Sequence, residues 1–185
     1  MSVQIKADGN ANLIGSLWMI AAMAVFAIED ALIKAVATTL PMGQILIIFG
    51  GFGAALFALI ARSKGQSLRN PDVLSKPMRI RVCFEITGRL FYFLALAMIP
   101  LSAATVILQA TPLVVVAGAA IVFGEQVGWR RWTAIFIGLA GVLIIIQPGS
   151  DGFSALSILA VIGMLGFAGR DLASRAAPAS LSATV

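Results

Sequence analysis

Acids and bases standing one helical turn apart inside otherwise apolar runs are the chemically informative residues of this chain. Asp30 and Lys34, Glu85 and Arg89, and Asp171 and Arg175 all follow the acid-first i,i+4 order that favours a side-chain pair on one helix face. Glu29 points about 100° away from Asp30 and has no partner within its own segment. An Arg near the centre of a membrane span, as Arg89 is in residues 80–99, costs about 2.5–3.5 kcal/mol. Such residues either contact a polar solute or pair with one another inside the protein.

The chemistry open to them is binding and proton exchange, not catalysis. The sequence has no His, and Cys83 is its single cysteine, which removes His-based catalysis, His/Cys metal sites and internal disulfides. Catalytic acids do not cluster at one depth and no nucleophile motif is present, so the chain does not read as an enzyme. Neither a metal nor a cofactor is called for. "GGFGA" (50–54) lacks the Lys-Ser/Thr of a phosphate cradle and reads as small residues that let helices approach, as do Gly138 and Gly141.

The elements that position these residues are membrane spans. Of 185 residues 60% are hydrophobic and 11% charged, and the mean hydropathy is +1.01. Six apolar runs, about 13–37, 42–61, 80–99, 101–123, 130–147 and 154–176, each approach the ~20 residues needed to cross a bilayer. The fold class is therefore an all-α polytopic membrane protein. Pro41, the polar segment 62–81, Pro100 and "QPGSDG" (147–152) separate the runs. The first run is too long for a signal-peptide core and is expected to remain as a span.

The formal charge of +5 comes from basic residues next to apolar runs, a pattern of membrane topology and not of nucleic-acid binding. Arg62, Lys64, Arg69, Lys76, Arg79 and Arg81 face one acid, Asp72, in 62–81, and Arg130 and Arg131 follow the fourth run. These connections are expected in the cytoplasm, the others outside, with a cytoplasmic N-terminus in a multi-pass cell-membrane protein.

A shift of 141 positions lays "MAVFAIEDALIKA" (23–35) on "MLGFAGRDLASRA" (164–176). Asp30 meets Asp171, Lys34 meets Arg175, and Glu29 meets the opposite charge of Arg170. A five-helix first unit has an odd number of spans, so a second unit starts from the other side: an inverted repeat, as many secondary transporters have. The expected domains are a five-helix repeat at 1–149 and, at 150–185, the first helix of a second, inverted repeat. A second repeat of equal length would need roughly 100 further residues. Truncation, or a partner that supplies the rest, is the expectation.

Residues 95–149 carry Pro100 with Ala103–Ala104, mid-helix Pro112, Gly124–Glu125, "GLAGV" (138–142) and Pro148–Gly149 in an order that resembles EamA-type permeases of the drug/metabolite transporter superfamily. The resemblance implies a ten-helix permease of two inverted halves with a central cavity, moving small organic metabolites or drugs by alternating access. The alternatives are a half-size unit active only as a homo-oligomer, or a non-transporting membrane fragment or scaffold. The expected partners are the lipid bilayer and a small-molecule solute.

Five residues are candidates for the cavity: Glu29, Arg89, Tyr92, Gln109 and Arg170. Glu29 is a candidate proton or cation contact that pseudo-symmetry brings toward Arg170, or else an acid in interfacial water. Arg89, aligned by Glu85 and followed on its face by Tyr92, suits an anionic or carboxylate-bearing solute, or else only fixes packing. Phe91 and Phe93 are expected off that face. Gln109 shares a stripe with Thr105 and with Pro112, whose missing N–H frees the Leu108 carbonyl and kinks the helix. Asp30–Lys34, Glu85 with Arg89, and Asp171–Arg175 are expected as structural ion pairs. Glu125 reads as an interfacial stabiliser beside Arg130 and Arg131. Trp18 and Trp132 read either way, as anchors or as site residues.

Overall fold

A backbone surrounded by hydrocarbon has to satisfy its hydrogen bonds within each segment, and helix is the only regular structure among the described residues. The computed structural model describes residues 2–67, 71–146, 155–178 and 181. The expected turn at 147–152, the start of the sixth run and the Pro148–Gly149 feature lie outside them.

Helix α1 covers Ser2–Val36, and its Leu13–Val36 portion is long and apolar enough to cross a membrane. Thr38 and Thr39 donate their hydroxyls to the carbonyls of Ala35 and Val36 at its end, at 2.8 and 3.0 Å. Extended Pro41 then leads into α2, Met42–Ser63. A 3₁₀ turn at Pro71–Leu74 precedes α3, Lys76–Met98. Helix α3 therefore takes in Lys76, Arg79 and Arg81, which the sequence assigned to a loop; Pro77 sits in its first turn, where a missing N–H is harmless. The fourth run is split into α4, Leu101–Leu108, and α5, Thr111–Phe123. Gly124, at φ +65°, ends α5 in the left-handed conformation that a glycine adopts without strain. Helices α6, Trp129–Ile146, and α7, Ser157–Arg175, follow.

Helix α3 is the hub, with α1, α2, α4 and α7 all packed on it and α7 most extensively. Tyr92, Phe93, Ala95 and Leu96 of α3 form the core with Ile33 of α1, Ile45 of α2, Ile107 of α4, and Ala160, Met164 and Phe167 of α7. Large apolar side chains instead cover the outside, among them Ile47, Ile121 and Ile144 at more than 70% exposure. This inside-out distribution is what a lipid solvent selects.

Side-chain contacts fix the helix directions. Glu29 meets Arg89, Asp30 meets Tyr92 and Lys34 meets Ile99, so α1 and α3 run in parallel. Arg170 meets Glu85 and Ser174 meets Arg81, so α7 runs antiparallel to α3 and opposite to α1. Arg175 also reaches Glu125 beyond the end of α5, at 2.9 Å. The start of α3 and the turn after α5, flanked by the two basic segments, thus share one side of the molecule.

The α3–α7 crossing is a backbone-to-backbone approach. A Cβ built on Gly166 would stand 2.5 Å from Gly88 Cα, and one on Gly163 would stand 3.0 Å from Tyr92 Cα. Any larger residue there pushes the helices apart. The small residues singled out from sequence behave differently. A Cβ on Gly138 would crowd Leu113 at 2.6 Å, whereas Gly50, Gly51, Gly53 and Gly141 have open space where a Cβ would go.

Candidate functional site

Four carboxylates and two guanidiniums converge where α1 and α7 meet α3. Arg89 donates from Nη1 to Glu29 Oε1 at 2.8 Å and from Nη2 to Glu85 Oε1 at 3.2 Å. Glu85 uses its other oxygen, Oε2, to accept from Arg170 Nη1 at 3.2 Å, and Arg170 in turn holds Asp171 Oδ1 at 2.8 Å. The result is one chain, Glu29–Arg89–Glu85–Arg170–Asp171, across three helices. The i,i+4 spacing on α3 places Glu85 and Arg89 on one face; α1 and α7 then present opposite charges to it. The side chains of Arg89 and Glu29 are each only 20% exposed, and a pair at that depth is held by geometry and several hydrogen bonds, not by one Coulomb contact.

Aromatic rings complete the Arg89 environment. Its guanidinium carbon lies 4.7 Å from the Phe49 ring centroid, 5.4 Å from Phe93 and 5.7 Å from Phe167. Arg170 lies 5.0 Å from the same Phe167 ring. Phe93 thus shares the Arg89 face, contrary to expectation, because it follows Arg89 by one turn. Tyr92 is 2% exposed, stacks edge-on against Phe167, and donates its hydroxyl to Asp30 Oδ2 at 2.8 Å. It anchors α1 to α3 inside the core.

Several expected pairings are replaced by interhelical ones. Asp30 does not pair with Lys34: it accepts from Tyr92, while Lys34 Nζ donates to the Ile99 carbonyl at 2.7 Å. Asp171 does not pair with Arg175: it takes Arg170, while Arg175 takes Glu125, which was expected to sit with Arg130 and Arg131. Glu29 and Arg170 do not touch; Arg89 and Glu85 stand between them. The Glu85–Arg89 pair is present as part of the larger chain.

The stripe on the fourth run makes local bonds. Thr105 back-bonds to the Leu101 carbonyl at 2.9 Å, and the Leu108 carbonyl opposite Pro112 accepts the Thr111 hydroxyl. That carbonyl is therefore already taken. Gln109 is exposed at the α4–α5 break, and among the described residues it does not hydrogen-bond to the charged chain.

A cavity of 940 Å³ opens between α1 and α2, walled by Trp18, Phe26, Phe49, Phe52 and Phe57 together with aliphatic residues. Glu29 is the one charged side chain in its lining among the described residues; Arg89, Tyr92, Gln109 and Arg170 do not line it. Trp18, ambiguous in sequence, is thus a wall residue, and Trp132 packs near Phe136 with centroids 6.1 Å apart.

An all-α, multi-pass membrane protein with its charges turned inward and an apolar cavity against one of them is the class these features define. The model of the EamA-like transporter family matches residues 13–147, and the chain belongs to that family. It is 29% identical over 154 residues to the pseudopaline exporter CntI of Pseudomonas aeruginosa, covering 82% of this chain and 52% of that protein. Identity is 29% over 158 residues with a riboflavin transporter of Rhizobium johnstonii, covering 83% and 51%. With an S-adenosylmethionine uptake transporter of Rickettsia prowazekii it is 21% over 163 residues, covering 87% and 54%. The chain spans about half the length of these curated relatives. No solved structure matches it.

Proposed function

We propose that this chain carries a small organic solute across the cytoplasmic membrane by alternating access, with residues 1–149 forming a five-helix repeat and 150–185 opening a second one of inverted topology. Its role is transport and not catalysis. Membership of a transporter family whose matched relatives are named for moving pseudopaline, riboflavin and S-adenosylmethionine supports the transport reading. The observation that carries the mechanism is that α1 and α7 run in opposite directions and bring Glu29 and Arg170, equivalent under the 141-residue shift, onto successive turns of one face of α3. Charge pairs shared among three helices can be exchanged for contacts with a solute, and such exchange is what switches a transporter between two packings. The two basic segments share one side, which supports a cytoplasmic placement for both and a cytoplasmic N-terminus.

Flux in proteoliposomes tests the proposal. Vesicles carrying the chain are loaded with a defined metabolite mixture that includes riboflavin and S-adenosylmethionine, and solute loss is compared with that from empty vesicles. Loss of at least one solute, reduced at least tenfold by Arg89→Gln, is the expected outcome. Loss equal to that of empty vesicles overturns transport by the chain alone. A half-size unit working as a homo-oligomer is the second reading, favoured by the half-length coverage of the relatives. Mass measurement in detergent at the onset of flux separates the two.

A further inference from the structure

Resting on the transport reading, we infer that the α1–α2 cavity is a site for an organic cation with an aromatic or apolar body, its positive charge held by Glu29. Three observations converge on that class. The wall is apolar and aromatic, and Glu29 is its one charged member among the described residues. Glu29 gives only Oε1 to Arg89; its second oxygen, Oε2, accepts no hydrogen bond among the described residues. The converging cluster holds Glu29, Asp30, Glu85 and Asp171 against Arg89 and Arg170, a surplus of two carboxylates, and Lys34, the next base on α1, gives its ammonium to the Ile99 carbonyl. Carboxyl groups that outnumber bases at membrane depth favour a cationic partner.

Arg89 does not oppose this occupant. It stands outside the cavity lining, keeps Glu85 as a second carboxylate, and lies against three phenyl rings. Sharing Glu29 with an incoming cation therefore leaves Arg89 paired. An anionic solute finds no exposed base in this wall, and must break Glu29 from Arg89 before it meets one. The ring of Phe52 adds cation–π attraction for the charged end and stacking for the body, while Phe49 already carries the Arg89 guanidinium at 4.7 Å and serves as wall.

N-methylquinolinium and 2-naphthoate, bicyclic aromatics of similar size and opposite charge, are the probes for calorimetric titration of the full chain in lipid nanodiscs. Saturable binding of the quinolinium at one site per chain is expected, with affinity for 2-naphthoate at least tenfold weaker. Glu29→Gln should weaken quinolinium binding about tenfold or more. Phe52→Ala, at a position 73% exposed and so not needed for folding, should weaken it severalfold. Equal or tighter binding of 2-naphthoate, or quinolinium affinity unchanged by both substitutions, overturns the assignment; if Glu29→Gln fails to fold, Phe52→Ala and the probe comparison decide it. Because titration needs no flux, binding without transport counts against the transport reading alone. Transport of other solutes without quinolinium binding counts against this one alone.

Discussion

Arg89 bridges two carboxylates from two helices while lying against three phenyl rings. A lysine at that position keeps the charge but has neither the two-pronged donor geometry nor the flat face. Arg89→Lys is expected to lower the unfolding midpoint in detergent, and Arg89→Gln to lower it further, by about 3–5 kcal/mol of stability, since Glu29 is then left without its base and Glu85 keeps only Arg170. Tyr92→Phe removes the only donor to Asp30 Oδ2 seen among the described residues and is expected to cost about 1–3 kcal/mol in the same unfolding assay. The identities of these charged residues were legible in the sequence, but their partners were not. An i,i+4 ion pair contributes only a few tenths of a kcal/mol. Lys34 instead satisfies the Ile99 carbonyl, one of the acceptors that the end of α3 leaves without a helical donor, and Asp30 prefers a buried hydroxyl within reach. Local spacing cannot anticipate a neighbour that arrives from another helix.

At the scale of elements, five of the six apolar runs coincide with single helices over their described parts, α1 starting earlier than its run, and among the described residues Leu13–Val36, Met42–Ser63, Leu101–Phe123 and Ser157–Arg175 are long and apolar enough to cross a membrane. The fourth is broken at Gln109–Ala110, a consequence of Pro112 that sequence named as a kink. Close packing was less legible. "GGFGA" drew attention by composition, yet its glycines have no helix against them, whereas the i,i+3 series Gly163, Gly166 and Gly169 faces α3 along its whole length. The series was present in the sequence; its partner, Gly88, lies 78 residues before Gly166 and gave no local signal. Gly166→Ala places a methyl 2.5 Å from backbone and is expected to destabilise by about 1–3 kcal/mol. Gly51→Ala, in open space within α2, is expected to be neutral or to stabilise slightly, by at most about 1 kcal/mol. Unfolding curves for the two variants in one detergent give the comparison.

For the whole molecule, the contacts of Ser174 with Arg81 and of Arg175 with Glu125 gather both basic segments at one end, the end we propose to face the cytoplasm. On a Cys83→Ser background, Lys64→Cys and Gly128→Cys are expected to react with a membrane-impermeant maleimide only after the cells are opened, and Thr39→Cys before. The reverse pattern would place the N-terminus outside. The chain of charges centred on Glu85 and Arg89 links α1 and α7 through α3, beside the glycine contacts of α7 and the Asp30–Tyr92 bond of α1, and a double-mutant cycle between Glu29 and Arg89 probes it without assuming any solute. Unfolding free energies of Glu29→Gln, Arg89→Gln and the double variant in mixed micelles should show coupling of at least about 1 kcal/mol, the double variant losing less than the sum of the two. Additivity within about 0.3–0.5 kcal/mol would mean that the two side chains do not act on each other in the folded protein, and would contradict the charge-linked assembly of α1 on α3.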